Sequence, residues 1–386
     1  MYYLQEIIKL FQQLGIFYFI ICGVFFFAFL VQLYYWLFIF RKFPRIKYQN
    51  KKKQNDEKPP VSVIIAARNE ADNLQEYLPF VLSQKYHAFE VVVVNDCSED
   101  DSEFVLAKFQ EQYANLHVTT IKPDQKFTHG KKLALSIGIK AAKHEWLLFI
   151  DADCYPSSDY WIEHMANNFH DDYKIVLGYG GYNNGDGFLN KLIRYDSLLI
   201  AIQYISLAIK GIPYMGVGRN LAYRKSLFFE SKGFASHAGL LSGDDDLFVN
   251  QNAKKNNTAV EFSKESFTFS KPKTSWYEWK LQKSRHFSTF KFYKFKHKFV
   301  LGLEPITRYL FFLGFGIMCT NLLTCSIAAI PFILRYIIQL VKLKNFSNYF
   351  NQKNLIFIHF FFDLFLPILH FGIAFGTMFN KKRKWK

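Results

Sequence analysis

The segment WLLFIDADCYP, residues 146–156, runs five apolar residues into Asp-Ala-Asp and then stops at a proline. Its unbroken apolar start suits a β-strand covered on both faces. Successive side chains of an extended chain alternate, so Asp151 and Asp153 point the same way from the end of that strand. Two carboxylates this close repel unless a cation lies between them, and a pair of hard oxygen ligands suits Mg²⁺ or Mn²⁺ bridging phosphates. Taken alone, the motif reads as well as a solvated turn with a helix cap at Ser157 or Ser158. Its surroundings have to decide.

Three comparable runs precede it: VSVIIAA (61–67), FEVVVVND (89–96) and HVTTI (117–121). Between them lie helical patterns marked by Leu74, Leu78, Val81 and Leu82, by Phe104, Val105 and Phe109, and by Leu133, Ile137 and Ala141. Strands alternating with helices imply right-handed βαβ units and a mainly parallel sheet. Such sheets bind ligands beyond the carboxyl ends of their strands, near the point where strand order reverses. Three of these ends are polar: RNE after the first strand, NDCSED after the second and DAD after the fourth.

The chain has 386 residues, half of them hydrophobic, with 44 phenylalanines and a formal charge of +16. That composition excludes a disordered chain; the positive charge fits nucleic acid, an anionic membrane face or phosphorylated substrates. The five cysteines form no C-x-x-C pair, so neither a zinc site nor a disulfide framework is expected, and the hydrophilic part is placed in a reducing compartment. Residues 15–40 hold no charge and are long enough to cross a bilayer; lacking a small-residue cleavage site, they read as a retained transmembrane helix, not a signal peptide. Arg41, Lys42, Arg45, Lys47 and Lys51 to Lys53 follow, against Lys9 alone before, which places the next domain on the cytoplasmic side of the cell (inner) membrane.

Lysines and arginines interleave with aromatic residues from 280 to 298, the pattern of a helix lying on an anionic leaflet; the apolar flanks favour membrane over nucleic acid, and no nucleic-acid partner is expected. Residues 306–341 are too long for one straight span, and 355–379 carry His359, Asp363, Pro367 and His370. Two topologies remain: a tight hairpin at 306–341 with an interfacial or re-entrant last segment, or two ordinary spans with the basic loop outside. The positive-inside tendency favours the first and a cytoplasmic KKRKWK tail. The expected divisions are an N-terminal arm and anchor at 1–45, a linker at 46–60, a cytoplasmic catalytic domain at 61–300 and a C-terminal membrane region at 301–386.

VSVIIAARNEADNL, VVVVNDCSEDDS, GKKLALSIGIKAA, DADC, LLSGDDDLFVNQ and WKLQKSRHF follow one another along the chain. In this order, over about 61–290, the chain resembles the family 2 glycosyltransferases. The resemblance implies the GT-A fold, an α/β architecture with a Rossmann-like mixed, mainly parallel sheet flanked by helices, here joined to an N-terminal transmembrane helix and a C-terminal membrane segment. It assigns Asn69, Glu70 and Asp96, with Asp100 as a further candidate, to the nucleoside of a nucleotide-sugar, UDP- or GDP-linked. Asn95 stands where the family has an aspartate and Cys97 where it has a glycine. Lys131 falls where a cation meets phosphate, and a lysine in the first turn of a helix is a credible anion site, though also an ordinary solvated residue. Asp153 becomes the metal ligand, with Asp151 nearer the donor, and Mg²⁺ or Mn²⁺ the cofactor.

Gly218, Asn220 and Arg224 fit a pattern that lines the acceptor side in similar proteins; the glycines could also be plain turns. Three aspartates, 244 to 246, stand ahead of an apolar run and suit a helix N-terminus. The resemblance puts Asp244 in place of a family glutamate and makes Asp245 the catalytic residue. An inverting transfer needs a base for the acceptor hydroxyl, and a carboxylate crowded by like charges has its pKa raised toward that task. Gln282, Arg285 and His286 share one helical face. They resemble a Q-x-x-R-W motif that grips diphosphate and acceptor, with histidine replacing tryptophan.

The expected protein is a membrane-bound, metal-dependent inverting glycosyltransferase of cell-envelope glycan synthesis, acting on a lipid or lipid-linked glycan. A processive polysaccharide synthase is the alternative. A non-enzymatic channel or transporter would need polar residues along its spans.

Overall fold

The computed structural model describes residues 2–40, 58–123 and 130–379, with side chains from 15 to 377 within those ranges. The basic run after the first apolar segment, the linker up to 57 and the KKRKWK tail lie outside the described residues. Helix α1 (Tyr2–Tyr34) bends at Gly15, whose φ of 78° is left-handed, and ends in a π-turn over Tyr35–Ile39.

The central sheet then builds from β1 (Val61–Ala67), α2 (Ala71–Leu82), β2 (Phe89–Asp96), α3 (Ser102–Gln112), β3 (Leu116–Ile121), α4 (Lys131–Ala141) and β4 (Trp146–Phe149). These four strands run parallel in the order β3-β2-β1-β4. Helices cover both faces, which explains why Val61 to Ile65 and Val91 to Val94 are buried without alternation. Strand order reverses between β1 and β4, so the crevice beyond their carboxyl ends is the expected ligand position. The face α4 buries is Ala134, Leu135, Gly138 and Ile139, one step out of phase with the expected Leu133, Ile137 and Ala141. Gly138 sets that phase: a Cβ there would lie 2.9 Å from Ile64 Cγ2 and 3.0 Å from Val94 Cγ2, so the helix rests directly on β1 and β2.

The remaining elements are β5 (Cys154–Pro156), α5 (Trp161–Ala166), β6 (Ile175–Leu177), β7 (Gly180–Tyr182), α6 (Phe188–Ile209), β8 (Leu221–Arg224), α7 (Lys225–Glu230), α8 (Asp246–Asn252), β9 (Thr258–Val260), β10 (Thr268–Ser270) and α9 (Trp276–Phe290). β8 joins β4 antiparallel and carries β6 and β9, completing a seven-stranded mixed sheet. A second sheet, β5-β10-β7, starts one residue after Asp153. Helix α6 is long and apolar enough for a span, but most of its apolar stretch is buried inside the protein.

Helices α10 (Phe295–Met318), α11 (Leu322–Tyr349) and α12 (His359–Phe379) follow. With α1, and with α12 as far as His370, the first two form a compact unit separate from the one that holds the sheets. Gly15–Ile39, Phe295–Met318, Leu322–Tyr349 and His359–Thr377 are each long and apolar enough to cross a membrane. The chain turns at Cys319–Asn321, giving the tight hairpin of the first expected topology; the last segment is a helix of spanning length, not a short interfacial piece. The expected domain boundary at 300 falls inside α10, and the basic aromatic stretch 280–298 is split between α9 and α10.

Polar groups inside this helical unit pair with one another. Arg335 Nη1 lies 2.6 Å from Asp363 Oδ2, Arg308 Nη2 lies 2.6 Å from both Glu304 oxygens, and Gln32 bridges Arg335 Nη2 to the Glu304 carbonyl. All five side chains are buried. Charged groups persist in an apolar medium only when so compensated. Asp363→Ala leaves Arg335 without its carboxylate and should lower stability by about 3–5 kcal/mol. Thermal unfolding of the detergent-solubilised chain checks this; an unchanged midpoint would remove the pair from the account of helix assembly.

Candidate active site

Turns beyond β1, β2 and β4 meet at the switch point. Asn69 (φ 52°) and Cys97 (φ 55°) both take the left-handed conformation, so Cys97 does adopt the backbone that a glycine would favour. Asn69 ties the two turns together: its Oδ1 accepts from Glu99 N at 2.8 Å and its N–H donates to Ser98 Oγ at 2.9 Å. Asp100 accepts from Ala71 N and from Ser102 N and Oγ, and these hydrogen bonds hold its carboxyl below the usual carboxylate range despite partial burial. Its role is therefore to lock the turn. Asp96 is fully buried at the end of β2, and Glu70 Oε2 accepts from Asn73 at 2.5 Å.

Lys131 stands at the centre. Its Nζ is 2.7 Å from Asp151 Oδ1 and 3.2 Å from Asp244 Oδ2. Burial alone would depress its pKa, but the carboxylates of Asp151, Asp244 and Asp245 outweigh that and hold it well above the ordinary value. Lys132, its neighbour, donates to the carbonyls of His237 and Leu240 at 2.6 and 2.9 Å, fixing the loop that leads into the aspartate triplet. Sequence reasoning passed over Lys132, since nothing in its spacing distinguishes it from a surface lysine.

The three aspartates do three different things. Asp244, although desolvated, is kept below the usual carboxylate range by Lys131. Asp246 accepts from the hydroxyls of Thr289 and Tyr293, fastening α8 to the end of α9. Asp245 caps α8 by accepting from Asp246 N at 2.7 Å, and its Oδ2 accepts from Gly218 N at 2.8 Å. Burial and the adjoining Asp244 and Asp246 push its pKa up to about 7. Lys131, Asp151, Gly218, Asp244 and Asp245 line one small crevice, floored by Ile64, Phe149 and Leu221.

Asp153 sits on the same rim. Burial, Asp151 and Glu70 together raise its pKa, outweighing the opposing pull of Lys273. Oxygens of Asp151 and Asp153 and the Cys154 sulfur lie within 4.8 Å of one another. Burial and Asp153 keep the Cys154 thiol protonated, so the donors on offer are two hard oxygens. That set fits a hard divalent cation better than a thiophilic one.

Two expected acceptor residues are placed elsewhere. Asn220 is fully buried: its Nδ2 donates to the carbonyls of Tyr179 and Ser266, and its Oδ1 accepts from Trp161 Nε1. It is a clamp within the fold, not a residue of the crevice. Arg224 pairs in register with Trp146, at the start of β4 and away from Asp151; its guanidinium stacks over that ring and bonds Tyr173 O and Asp171. The sheet's antiparallel step carries it to the opposite edge.

Arg219, between two residues that the pattern selects, is a second cation, after Lys132, that sequence reading misses. It stacks 4.4 Å over Tyr182, donates to Gly180 O and Ser197 Oγ, and interacts electrostatically with Asp151 and Cys154. The glycines of GYGGY, residues 178–182, make its room: a Cβ at Gly180 would lie 2.5 Å from Arg219 Cγ, and one at Gly178 would lie 2.4 Å from Asn220 Cγ. Gln282 Nε2 donates to Tyr182 OH at 3.3 Å, so α9 reaches the same cluster. A buried Lys283–Asp196 ion pair anchors that helix to α6. His286 is on its exposed side, with Lys283, Arg285 and Arg219 as its cationic neighbours.

The mixed sheet with this crevice at its switch point is the architecture of a GT-A fold, and residues 62–230 match the family described as Glycosyl transferase family 2. Among curated proteins it is similar to the poly-beta-1,6-N-acetyl-D-glucosamine synthase of Staphylococcus aureus (strain MSSA476), 32 % identical over 181 residues, which are 44 % of this chain and 42 % of the relative. The protein of the same name from Staphylococcus epidermidis is 29 % identical over 157 residues, 39 % of this chain and 36 % of that one. The chain thus matches less than half the length of these relatives. Among solved structures, its fold is similar to that of the mannosyltransferase PcManGT from Pyrobaculum calidifontis in complex with GDP-Man and Mn²⁺. The TM-score is 0.58 at 17 % identity, covering 95 % of this chain and 99 % of that one.

The Asp245 carboxyl has a testable signature. Its folded-state pKa of about 7 exceeds the ordinary value, so the folded protein binds that proton more tightly than the unfolded chain. Ionisation therefore costs stability progressively as pH rises from the ordinary carboxylate value to about 7. Asp245→Asn should melt above the wild type at pH 8, and the difference should vanish below about pH 4, where both forms are neutral. Melting curves across that range check it; no gain at pH 8 would mean that Asp245 ionises normally.

Proposed function

We propose that the chain is a membrane-held, metal-dependent inverting glycosyltransferase that moves a sugar from a nucleoside-diphosphate donor to a lipid-linked or growing glycan acceptor. One observation carries this reading: a carboxylate tuned to about 7, Asp245, held by a backbone N–H and separated by one lysine from the Asp-x-Asp carboxylates. A base poised near neutrality suits an acceptor hydroxyl, and the paired carboxylates suit the donor diphosphate.

In this mechanism Asp245 accepts the hydroxyl proton as the acceptor oxygen attacks the anomeric carbon, opposite the departing nucleoside diphosphate. Gly218 N–H and the α8 N-terminus hold the carboxylate in place. Lys131 keeps Asp244 ionised beside it and supplies positive charge to the leaving group. Arg219 and Arg285 supply more, and Gln282 on α9 steadies Tyr182, on which Arg219 stacks, by a hydrogen bond. Asp153 and Asp151 would hold Mg²⁺ or Mn²⁺, which when bound neutralises the diphosphate as its charge grows. Asn69, Glu70 and Asp96 line the nucleoside end. The catalytic unit works on the cytoplasmic face, where nucleotide-sugars are the activated donors.

The relatives' printed name favours a second form of the same reaction, repeated addition of N-acetylglucosamine to a polymer. Product length decides between one addition and many.

Purified protein in lipid nanodiscs is titrated with nucleotide-sugars and assayed for transfer. Asp153→Ala should weaken metal-dependent donor binding and abolish transfer. Asp245→Asn should retain donor binding and lose transfer by about 10²–10⁴-fold. The wild-type rate should rise with pH through a midpoint near 7. Full transfer in either variant would sink the assignment.

A further inference from the structure

Cys319 and Cys325 flank the tip of the α10–α11 hairpin, and their sulfurs lie 3.1 Å apart. Both thiols are free, the first exposed and the second partly so. A disulfide bond is about 2.05 Å long, so closing this pair asks for only about 1 Å of movement. The turn holds its shape by other means: Thr324 Oγ1 donates to Met318 O at 2.5 Å, Asn321 Oδ1 accepts from Leu323 N at 3.0 Å, and Thr320 Oγ1 meets Tyr18 OH at 2.8 Å. The two thiols are therefore held together by a structured tip.

The side of the membrane follows from α1. Its Tyr18 meets Thr320 at the tip, Phe25 stacks on Phe311, and Tyr35 OH donates to Val300 O at 2.5 Å, so α1 and α10 run antiparallel. The other end of both helices is the basic one: Arg41, Lys42 and Arg45 follow α1, and Lys294, Lys296 and Lys298 border the start of α10. Residues 318–326, MCTNLLTCS, hold no charge. At 1.5 Å per residue α10 is about 36 Å long, more than the hydrocarbon thickness. The basic ends belong to the cytoplasmic face. The tip then emerges on the opposite face, the oxidising side of a cell membrane.

We propose that Cys319 and Cys325 form an intramolecular disulfide on the extracytoplasmic face, made by exchange with a donor disulfide; this rests on the membrane reading given above. One thiolate attacks a donor sulfur, and the other donor sulfur leaves and takes up the proton. The second cysteine then gives up its proton, attacks the protein-bound sulfur of the mixed disulfide and releases the second donor thiol. Two cysteine thiols are oxidised and one donor disulfide is reduced to two thiols. Cys97 and Cys154, on the catalytic unit, remain thiols in the reducing compartment, as that unit's cytoplasmic position requires.

The test uses the full chain in cells. Free thiols are alkylated with N-ethylmaleimide in denaturant, the protein is reduced, and newly exposed thiols are counted with maleimide-polyethylene glycol. Two adducts are expected from the wild type and none from Cys319→Ser, whose Cys325 is blocked in the first step. In parallel, a membrane-impermeant maleimide on intact cells should label Cys325 of a Cys22→Ser, Cys319→Ser double variant. No adducts from the wild type, with Cys325 labelled from outside, would overturn the disulfide and leave the membrane reading standing. Labelling of Cys325 only after permeabilisation would overturn the crossing of α10 and α11, and the disulfide with it. A reductant-sensitive dimer would place the bond between chains and overturn the proposal as well.

Discussion

A single ammonium group sets the charge pattern of the crevice. Lys131 sits between Asp151, which follows β4, and Asp244, which precedes α8, two segments separated by more than ninety residues of chain. Without it, four carboxylates at 151, 153, 244 and 245 would crowd one rim, and carboxylates at that spacing cannot all ionise. With it, Asp244 stays ionised; Asp245, one residue on, is pushed up by burial and by Asp244 and Asp246 against the pull of the same lysine. The lysine can do this because α4 starts at the switch point and lies flat against β1 and β2 over Gly138.

The aspartate triplet shows how one sequence feature divides into separate roles. Each residue faces a different partner: a lysine, a helix's own backbone N–H, and a pair of hydroxyls from α9. The third role stabilises the first two, since Asp246 ties α8 to α9 and α9 is itself pinned to α6 by Lys283 and Asp196. Burying that ion pair is costly in isolation. Its geometric effect is to hold the Gln282 face of α9 against Tyr182, and through Tyr182 against Arg219.

Much of this could be read from the chain because local pattern and global fold agree. Continuous apolar runs gave β1, β2 and β4 to within a residue or two, and the polar strand ends marked the crevice. The failures were of another kind. Asn220 and Arg224 belong to a pattern that the fold divides, since Asn220 precedes β8 and is buried against Trp161, Tyr179 and Ser266, while Arg224 ends β8 beside Trp146 at the start of β4. Arg219 was hidden because its pocket is made by glycines some forty residues away. The phase of α4 was mistaken because Gly138, with no side chain to count as apolar, is the residue of closest approach. Scattered cysteines concealed a pair only because a hairpin tip brings positions six apart together.

The helical unit obeys the same electrostatic rule under a harsher solvent. Water at the crevice can share the load of four carboxylates, whereas a group buried between apolar helices has only its neighbours. Two arginines there meet two carboxylates, drawn from α10, α11 and α12, with Gln32 of α1 closing the set. Arg308 and Glu304 pair within α10, whereas the Asp363 and Gln32 contacts cross from helix to helix. Apolar packing between Phe25, Phe311 and Phe332 would tolerate sliding, because hydrocarbon faces are alike along their length. Fixed ion pairs are not alike along their length, so they select one register. α1 precedes β1 and α10 follows α9, and the Tyr35–Val300 contact brings their near ends together. That register therefore fixes the end of α1 beside the start of α10 within the helical unit.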